Sequence, residues 1–233
     1  MMTDLEILRK GQVLLIDKPL NWTSFDAVNK IRYAILKKHN LKRFKVGHAG
    51  TLDPLATGLL LICVGKATKT INQYQGLDKE YTGTFFLGAT TPSYDMETAV
   101  NENFDTKHIT PELIIQTAQN FVGKQKQLPP IFSAVKKNGK KLYEHARKGE
   151  AVEISPRDIE IKEFEILSVK MPEVQFRVKV SKGTYIRSLA YDFGKALQSG
   201  AYLSSLRRTK IGSFDVENAI NIEDWVANFN HEN

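Results

Sequence analysis

The chain has 233 residues, 42% of them hydrophobic, with 33 Lys and Arg against 26 Asp and Glu, a net charge of +7. That is enough apolar material for a core without disulfides or metal staples, and the single cysteine, Cys63, excludes an intramolecular disulfide and fits a reducing compartment. No basic-then-apolar leader opens the chain and no apolar run approaches the roughly 18 residues of a membrane helix, so a cytoplasmic α/β chain without membrane attachment is expected.

Val13–Ile16 reads as a short buried strand, stopped by Asp17-Lys18-Pro19. Thr23 or Ser24 suits a helix cap, with Asp26 in the first turn. Phe25, Val28, Ile31 and Ile35 follow at helical spacing, which predicts a helix over about 24–37 with that face buried. A basic crossing from Lys37 to Lys45 then enters the segment Gly47-His48-Ala49-Gly50-Thr51-Leu52-Asp53-Pro54-Leu55-Ala56-Thr57-Gly58. Glycine lets a partner approach the backbone closely, and the residue before proline is pushed out of the helical region. Asp53 therefore falls on a stiff loop, braced by the apolar run Leu59–Val64. A scaffold presents a catalytic group in this way, but an Asp whose carboxylate merely closes its own turn gives the same pattern. The residues of this loop alone leave both open.

Gly65-Lys66-Ala67 superficially resembles a phosphate-binding loop, but Leu60 and Ala67 stand where that motif needs Gly and Ser/Thr, so a nucleotide triphosphate site is rejected. A helix is expected over about 67–75 and a strand over Lys79–Leu87, followed by a polar, turn-rich stretch from Thr90 to Asn103 that includes Tyr94 and Asp95. Thr110-Pro111-Glu112 opens a helix reaching about Phe121. Residues 124–150 change character: paired prolines, dense lysines and interleaved aromatics suggest an extended arm closed by a helix at about 140–148. Strands are expected at 152–154, 159–169 and 174–180, then a tight turn at Ser181-Lys182-Gly183. A helix from about 184 buries Ile186, Leu189, Ala190, Phe193 and Leu197, with Arg187 about 100° around the axis from Ile186. Residues 201–214 read as a strand segment broken by Arg207-Arg208, and a short helix near 222–229 closes the chain. Interleaved strands and helices predict a mixed α/β fold with mostly antiparallel neighbours.

The positive charge is segregated. Residues 37–69 hold seven Lys/Arg and one acid, Asp53; residues 124–148 hold eight and one, Glu144; the rest of the chain is net negative. Two nearly acid-free blocks point to a polyanionic partner, and aromatics between the cations of the second block suit base stacking. The five histidines lie at no metal-ligand spacing from one another or from Cys63, and nucleophile-elbow, deaminase and dinucleotide signatures are absent. What remains is a lone aspartate among cations, consistent with a reaction on a polyanion that needs neither metal nor cofactor.

The run Gly47-His48-x-Gly50-Thr51-Leu52-Asp53-Pro54-x-Ala56-x-Gly58-x-Leu60 resembles the signature of TruB-type tRNA pseudouridine-55 synthases. Further matches follow in family order: Lys18-Pro19 with Trp22-Thr23-Ser24, Lys79-x-Tyr81, Pro129-Pro130-x-x-Ser133-Ala134-x-Lys136 with Gly139 and Leu142-Tyr143, Ser181 to Arg187, and Leu206-Arg207-Arg208. The resemblance spans about residues 11–213. It implies a pseudouridine synthase fold, a large mixed sheet flanked by helices with an RNA-gripping insertion at about 105–150. It implies a monomeric, cofactor-free isomerase acting on the TΨC loop of tRNA. Asp53 is then the nucleophile and Arg187 the partner that keeps it ionised. Tyr81 stacks on the flipped base, His48 fills the space the base leaves, and Tyr185 contacts the target nucleotide. Leu206 lines the pocket, and Lys18 with Pro19 supports the site. About twenty residues follow Ser213, too few for the C-terminal PUA domain that many members carry, so a single catalytic domain is expected. Attack at C1′, attack at C6 and proton removal from C2′ all need the same carboxylate. A non-catalytic RNA-binding module, or the same chemistry on another structured RNA, would use the same basic surface.

Overall fold

A computed structural model describes residues 4–133, 136–137, 140–142 and 154–231. Residues 143–148 of the helix expected at about 140–148 and Val152-Glu153 of the expected strand, with Ala134, Gly139 and Tyr143 of the family pattern, lie outside the described residues; Lys140-Lys141, where that helix was expected to start, form a strand instead. The elements run in chain order as α1 (Asp4–Lys10), β1 (Gln12–Lys18), α2 (Ser24–Lys38), β2 (Val46–His48), β3 (Ala56–Val64), α3 (Ile71–Gln75), β4 (Lys79–Leu87), β5 (Ala89–Thr90) and β6 (Glu102–Asn103). They continue with α4 (Pro111–Asn120), β7 (Gly123–Gln127), β8 (Lys136–Lys137), β9 (Lys140–Lys141), β10 (Arg157–Lys170), β11 (Glu173–Val180), α5 (Ile186–Ala196), β12 (Ala201–Ile211), β13 (Phe214–Asp215), β14 (Ile220–Asn221) and α6 (Ile222–His231). Ten strands belong to one large mixed sheet, as the family resemblance implies. The chain divides into two compact units, Met1–Tyr81 with Leu206–Asn233, and Thr82–Ser205.

In the first unit the strand order is β14-β1-β3-β12. The apolar run is the middle of this arrangement. β3 pairs antiparallel with β1 and parallel with β12. Successive side chains of a strand point to opposite faces, and here both faces are covered. Leu60, Ile62 and Val64 enter one cluster with Val28, Ile31 and Ile35 of α2, while Leu59 and Leu61 enter another with Ile211 and Val216. Cys63 is buried in the same strand, and burial pushes its thiol up to about 11, so it is a packing residue.

α2 is stopped at its N-terminus as its sequence requires. Thr23 accepts from the Asp26 amide, and Asp26 accepts from the Thr23 amide, a complete capping box. Phe25 departs from expectation. It is 59% exposed, and the guanidinium of Arg32 lies 5.9 Å from its ring centroid. The buried stripe is Ser24, Ala27, Val28, Ile31, Ala34 and Ile35; the i+3 step from Phe25 to Val28 holds on the helix, but the stripe begins one residue earlier, with Ser24 turned inward.

The second unit runs β4-β11-β10-β7. β10 pairs antiparallel with both β11 and β7, and its pairing with β11 shifts register twice. Its core is aromatic: Phe85 stacks on Phe176 at 4.1 Å between centroids, and Phe164 and Phe193 meet them edge-on or tilted. α5 buries Ile186, Leu189, Ala190 and Phe193 as its spacing predicts, and Leu197 beyond its end is also buried. The basic arm begins as β7, and Lys136-Lys137 pair with Lys140-Lys141.

The break expected at Arg207-Arg208 does not occur; β12 is continuous from Ala201 to Ile211. Each arginine has found partners that let it stay in a strand. Arg207 makes a two-pronged pair with Asp17 of β1, at 3.0 and 2.6 Å, and Arg208 turns inward to backbone carbonyls. Gly58 makes the close approach to β12 possible. Its φ is +101°, and a Cβ there would fall 2.3 Å from the Arg208 carbonyl oxygen. Gly58→Ala is therefore expected to destabilise the fold by about 2–4 kcal/mol, from backbone strain plus the clash, read as a lower urea midpoint at unchanged slope.

Candidate active site

Asp53 lies on the loop between β2 and β3, and the loop is tied down at several points. The Asp53 carbonyl accepts from the Ala56 amide at 3.0 Å, and the Pro54 carbonyl accepts from the Asn21 amide at 2.9 Å. Buried Ser24 makes two bonds to Leu52, accepting from its amide at 2.8 Å and donating to its carbonyl at 3.1 Å. The residue before Asp53 and the residue after it are thus both bonded to the start of α2 or the turn leading into it. Arg208, 1% exposed, adds three contacts. Its Nε donates to the Leu59 carbonyl at 2.7 Å, Nη2 to Gly50 at 3.1 Å and Nη1 to Thr51 at 3.4 Å.

Lys18 ends β1 with no exposed surface, and its ammonium donates to the carbonyls of Pro19 and Trp22 at 2.8 and 2.6 Å. Burial pushes its pKa down to about 8; the Asp53 carboxylate opposes that shift and the Arg208 charge adds to it. Lys18, Asp53 and Arg208 are therefore within electrostatic reach of one another. His48, on β2 opposite Ile62, is half-buried. Burial first, then the Arg208 charge, lowers its pKa against an opposing backbone bond from Gly50, so it is a neutral imidazole at pH 7. Tyr81 is buried on β4, and Leu206 pairs with Ala56 on β12, next to the loop's end. Five of the predicted site residues, Lys18, His48, Asp53, Tyr81 and Leu206, thus belong to the first unit.

Tyr185 and Arg187 belong to the second unit. Gln127 grips the main chain of Tyr185 at both ends, accepting from its amide at 2.8 Å and donating to its carbonyl at 3.1 Å. Arg187, although off the apolar stripe of its helix, is only 4% exposed. Its Nε lies 3.5 Å from the carboxylate of Asp95, and its Nη1 donates to the Ser93 carbonyl at 3.3 Å. Asp95 is buried too; it also accepts from the Glu97 amide, and the hydroxyls of Thr91 and Ser93 bond its carbonyl. Sequence reading places Asp95 in a turn-rich stretch without assigning it a partner. The one available signal is an acid beside a tyrosine in that stretch, which does not identify an arginine some ninety residues away. Among the described residues no group of three or more His, Cys, Asp or Glu is arranged to hold a metal ion, and no helix is long and apolar enough to cross a membrane.

The lowered pKa of Lys18 has a stability consequence. Between about pH 8 and 10.5 the folded lysine has released its proton while the unfolded chain still binds one, so stability rises with pH across that window. Lys18→Met removes this contribution. Wild type minus variant unfolding free energy is expected to rise by about 2–3 kcal/mol between pH 7.5 and 10.5, measured by urea denaturation; a flat difference would refute the assignment.

Residues 37–186 match the TruB family pseudouridylate synthase (N terminal domain), and residues 187–232 match the tRNA pseudouridylate synthase B C-terminal domain. The chain is 64% identical over 214 residues to tRNA pseudouridine synthase B of Flavobacterium johnsoniae, covering 91% of this chain and 93% of that protein. Against the protein of the same name from Phocaeicola vulgatus it is 52% identical over 217 residues, covering 93% and 92%. Among solved structures it is similar to a chain of a Cbf5-Nop10-Gar1 complex, with a TM-score of 0.71 and 32% identity, and to one of an H/ACA RNP bound to a substrate RNA containing 2'-deoxyuridine, with 0.69 and 29%. Those alignments cover 97% of this chain but only 56% and 55% of the solved chains, so it spans little more than half their length. With the family's N-terminal match alone covering more than half of its residues, the chain belongs to the TruB family of pseudouridylate synthases.

Proposed function

We propose that this chain converts uridine 55 in the TΨC loop of tRNA to pseudouridine, as a monomeric cytoplasmic enzyme formed by a single catalytic domain with an RNA-gripping insertion at about 105–150. The supporting observation is the set of bonds around Asp53. A loop of glycines and a proline, held through Leu52, Pro54, Gly50 and Thr51, ties down the backbone on either side of Asp53, within electrostatic reach of the buried Lys18. The reaction asks for that and little else. The C1′–N1 bond breaks, the uracil turns, and C1′ joins C5; the C5 proton is lost and N1 carries one in the product, so no atoms or electrons are gained. No cofactor or metal has a step to perform.

The target base must leave a folded loop, which costs a few kcal/mol. Tyr81 offsets that cost by stacking on the extruded base, and His48 by entering the space it vacates. A neutral His48 suits this filling role, since a charged imidazole would resist transfer into a base stack. Leu206 lines the pocket, Lys18 supports the loop from β1, and Tyr185 contacts the target nucleotide. Asp53 acts as the catalytic carboxylate, and Arg187, its guanidinium oriented by Asp95 and the Ser93 carbonyl, as its cationic partner.

Asp53→Asn tests the reading directly. Tritium release from C5-labelled uridine in an unmodified tRNA transcript is expected to fall at least about a thousandfold, some 4 kcal/mol of barrier, with tRNA binding kept within a few-fold. Turnover near the wild-type rate would refute the catalytic role. Binding should also be strongly electrostatic, because Lys and Arg of residues 37–69 and 124–148 displace counterions from phosphates. Affinity for tRNA is expected to drop at least about tenfold between 50 and 200 mM salt; filter binding across that range checks it.

A further inference from the structure

We propose that Arg208 is a positioning residue for the reaction, a buried clamp that fixes the loop carrying Asp53; the inference rests on the catalytic reading of Asp53. Its guanidinium reaches both ends of one segment. Nη2 and Nη1 donate to Gly50 and Thr51, ahead of Asp53, and Nε donates to Leu59, beyond it. The backbone of the same residue takes part, since Arg208 pairs with Gly58 in the parallel ladder between β12 and β3. Gly50 completes the fit. Its φ is +99°, and a Cβ there would stand 3.6 Å from Nη1, so the loop lies directly against the guanidinium.

A buried arginine is a poor choice if stability alone is at stake. Apolar residues of similar volume commonly match or exceed a buried ionic group, and loop carbonyls can be bonded by water. What water and an apolar side chain cannot supply is a rigid planar fork that sets three carbonyls in fixed relative positions. Those carbonyls bracket Asp53. The charge also reaches the neighbouring groups, lowering the pKa of Lys18 and of His48. Arg207, next in the strand, does a different job: it is partly exposed and pairs with Asp17 of β1.

The test compares Arg208→Lys with wild type, with Asp53→Asn alongside. Lysine keeps the charge but, as a single point donor, cannot span all three carbonyls as the guanidinium fork does. At a temperature where both proteins are fully folded by circular dichroism, the single-turnover rate of C5 tritium release is expected to fall about tenfold to a hundredfold. The dissociation constant for tRNA is expected to stay within about twofold. A rate within twofold of wild type overturns the inference, as does a rate loss matched by an equal loss of binding. Gly50→Ala disturbs the same contact from the loop side and provides a second reading if Arg208→Lys does not fold: a rate loss without a binding loss supports the clamp, and an unchanged rate refutes it. With both variants in hand, their effects on the rate should be less than additive; full additivity refutes a shared contact. If Asp53→Asn itself retains wild-type turnover, the catalytic reading fails first, which separates that failure from a failure of the clamp.

Discussion

A guanidinium with almost no exposed surface must find hydrogen-bond acceptors inside the protein, and Arg208 finds them in the loop that carries Asp53. This requirement organises the first unit around β3. The loop cannot drift from β12 without leaving a charge buried and unpaired, a loss of several kcal/mol. β12 in turn cannot leave β3, because the two are laddered from Leu206 to Arg208 and Gly58 sits against the Arg208 carbonyl. The two apolar faces of β3 are buried in separate clusters, and the arginine gives the loop a defined path against that strand.

The same device recurs. Lys18 is bound by the carbonyls of Pro19 and Trp22, and Lys79 by those of Gln75 and Leu77. Arg187 takes the Ser93 carbonyl in addition to the Asp95 carboxylate. In each case a turn-rich segment has carbonyls that no ladder satisfies, and a long cationic side chain from a strand end or helix start reaches them. Every clamp of this kind leaves a positive charge inside.

Most of the longer strands, most helices and the aspartate loop were legible in the sequence because each carries a local signal, whereas two- and three-residue strands such as β2, β5 and β6 carry none. Alternation marks β10 and β11, the Thr110-Pro111 start marks α4, and the glycine and proline pattern marks the Asp53 loop. Phe25 and the supposed break at Arg207-Arg208 were misread for a common reason. Periodicity and charge were taken as if each residue met solvent or core by its type alone. Phe25 lies outside with Arg32 over its ring, and the two arginines remain in a continuous strand because Asp17 and three loop carbonyls accept their protons. Partners this distant in sequence leave no local trace. Asp95 was missed for the same reason, its arginine lying some ninety residues on.

The division of labour in the opening loop follows from these contacts. His48 sits on a strand, paired with Ile62, whereas Asp53 lies beyond Gly50, whose φ is +99°, in a segment with no ladder of its own. The space-filling role proposed for His48 needs only a fixed backbone and a neutral ring, and β2 with the lowered imidazole pKa provides both. The catalytic role proposed for Asp53 needs finer placement, because errors on the order of 1 Å cost large factors in rate. That difference accounts for the extra ties. Leu52 and Pro54, on either side of Asp53, are bonded to Ser24 and Asn21, while Arg208 holds the approach at Gly50 and Thr51 and the exit at Leu59. The hydrogen bonds along the loop are thus gathered on either side of Asp53, the residue for which the catalytic role is proposed.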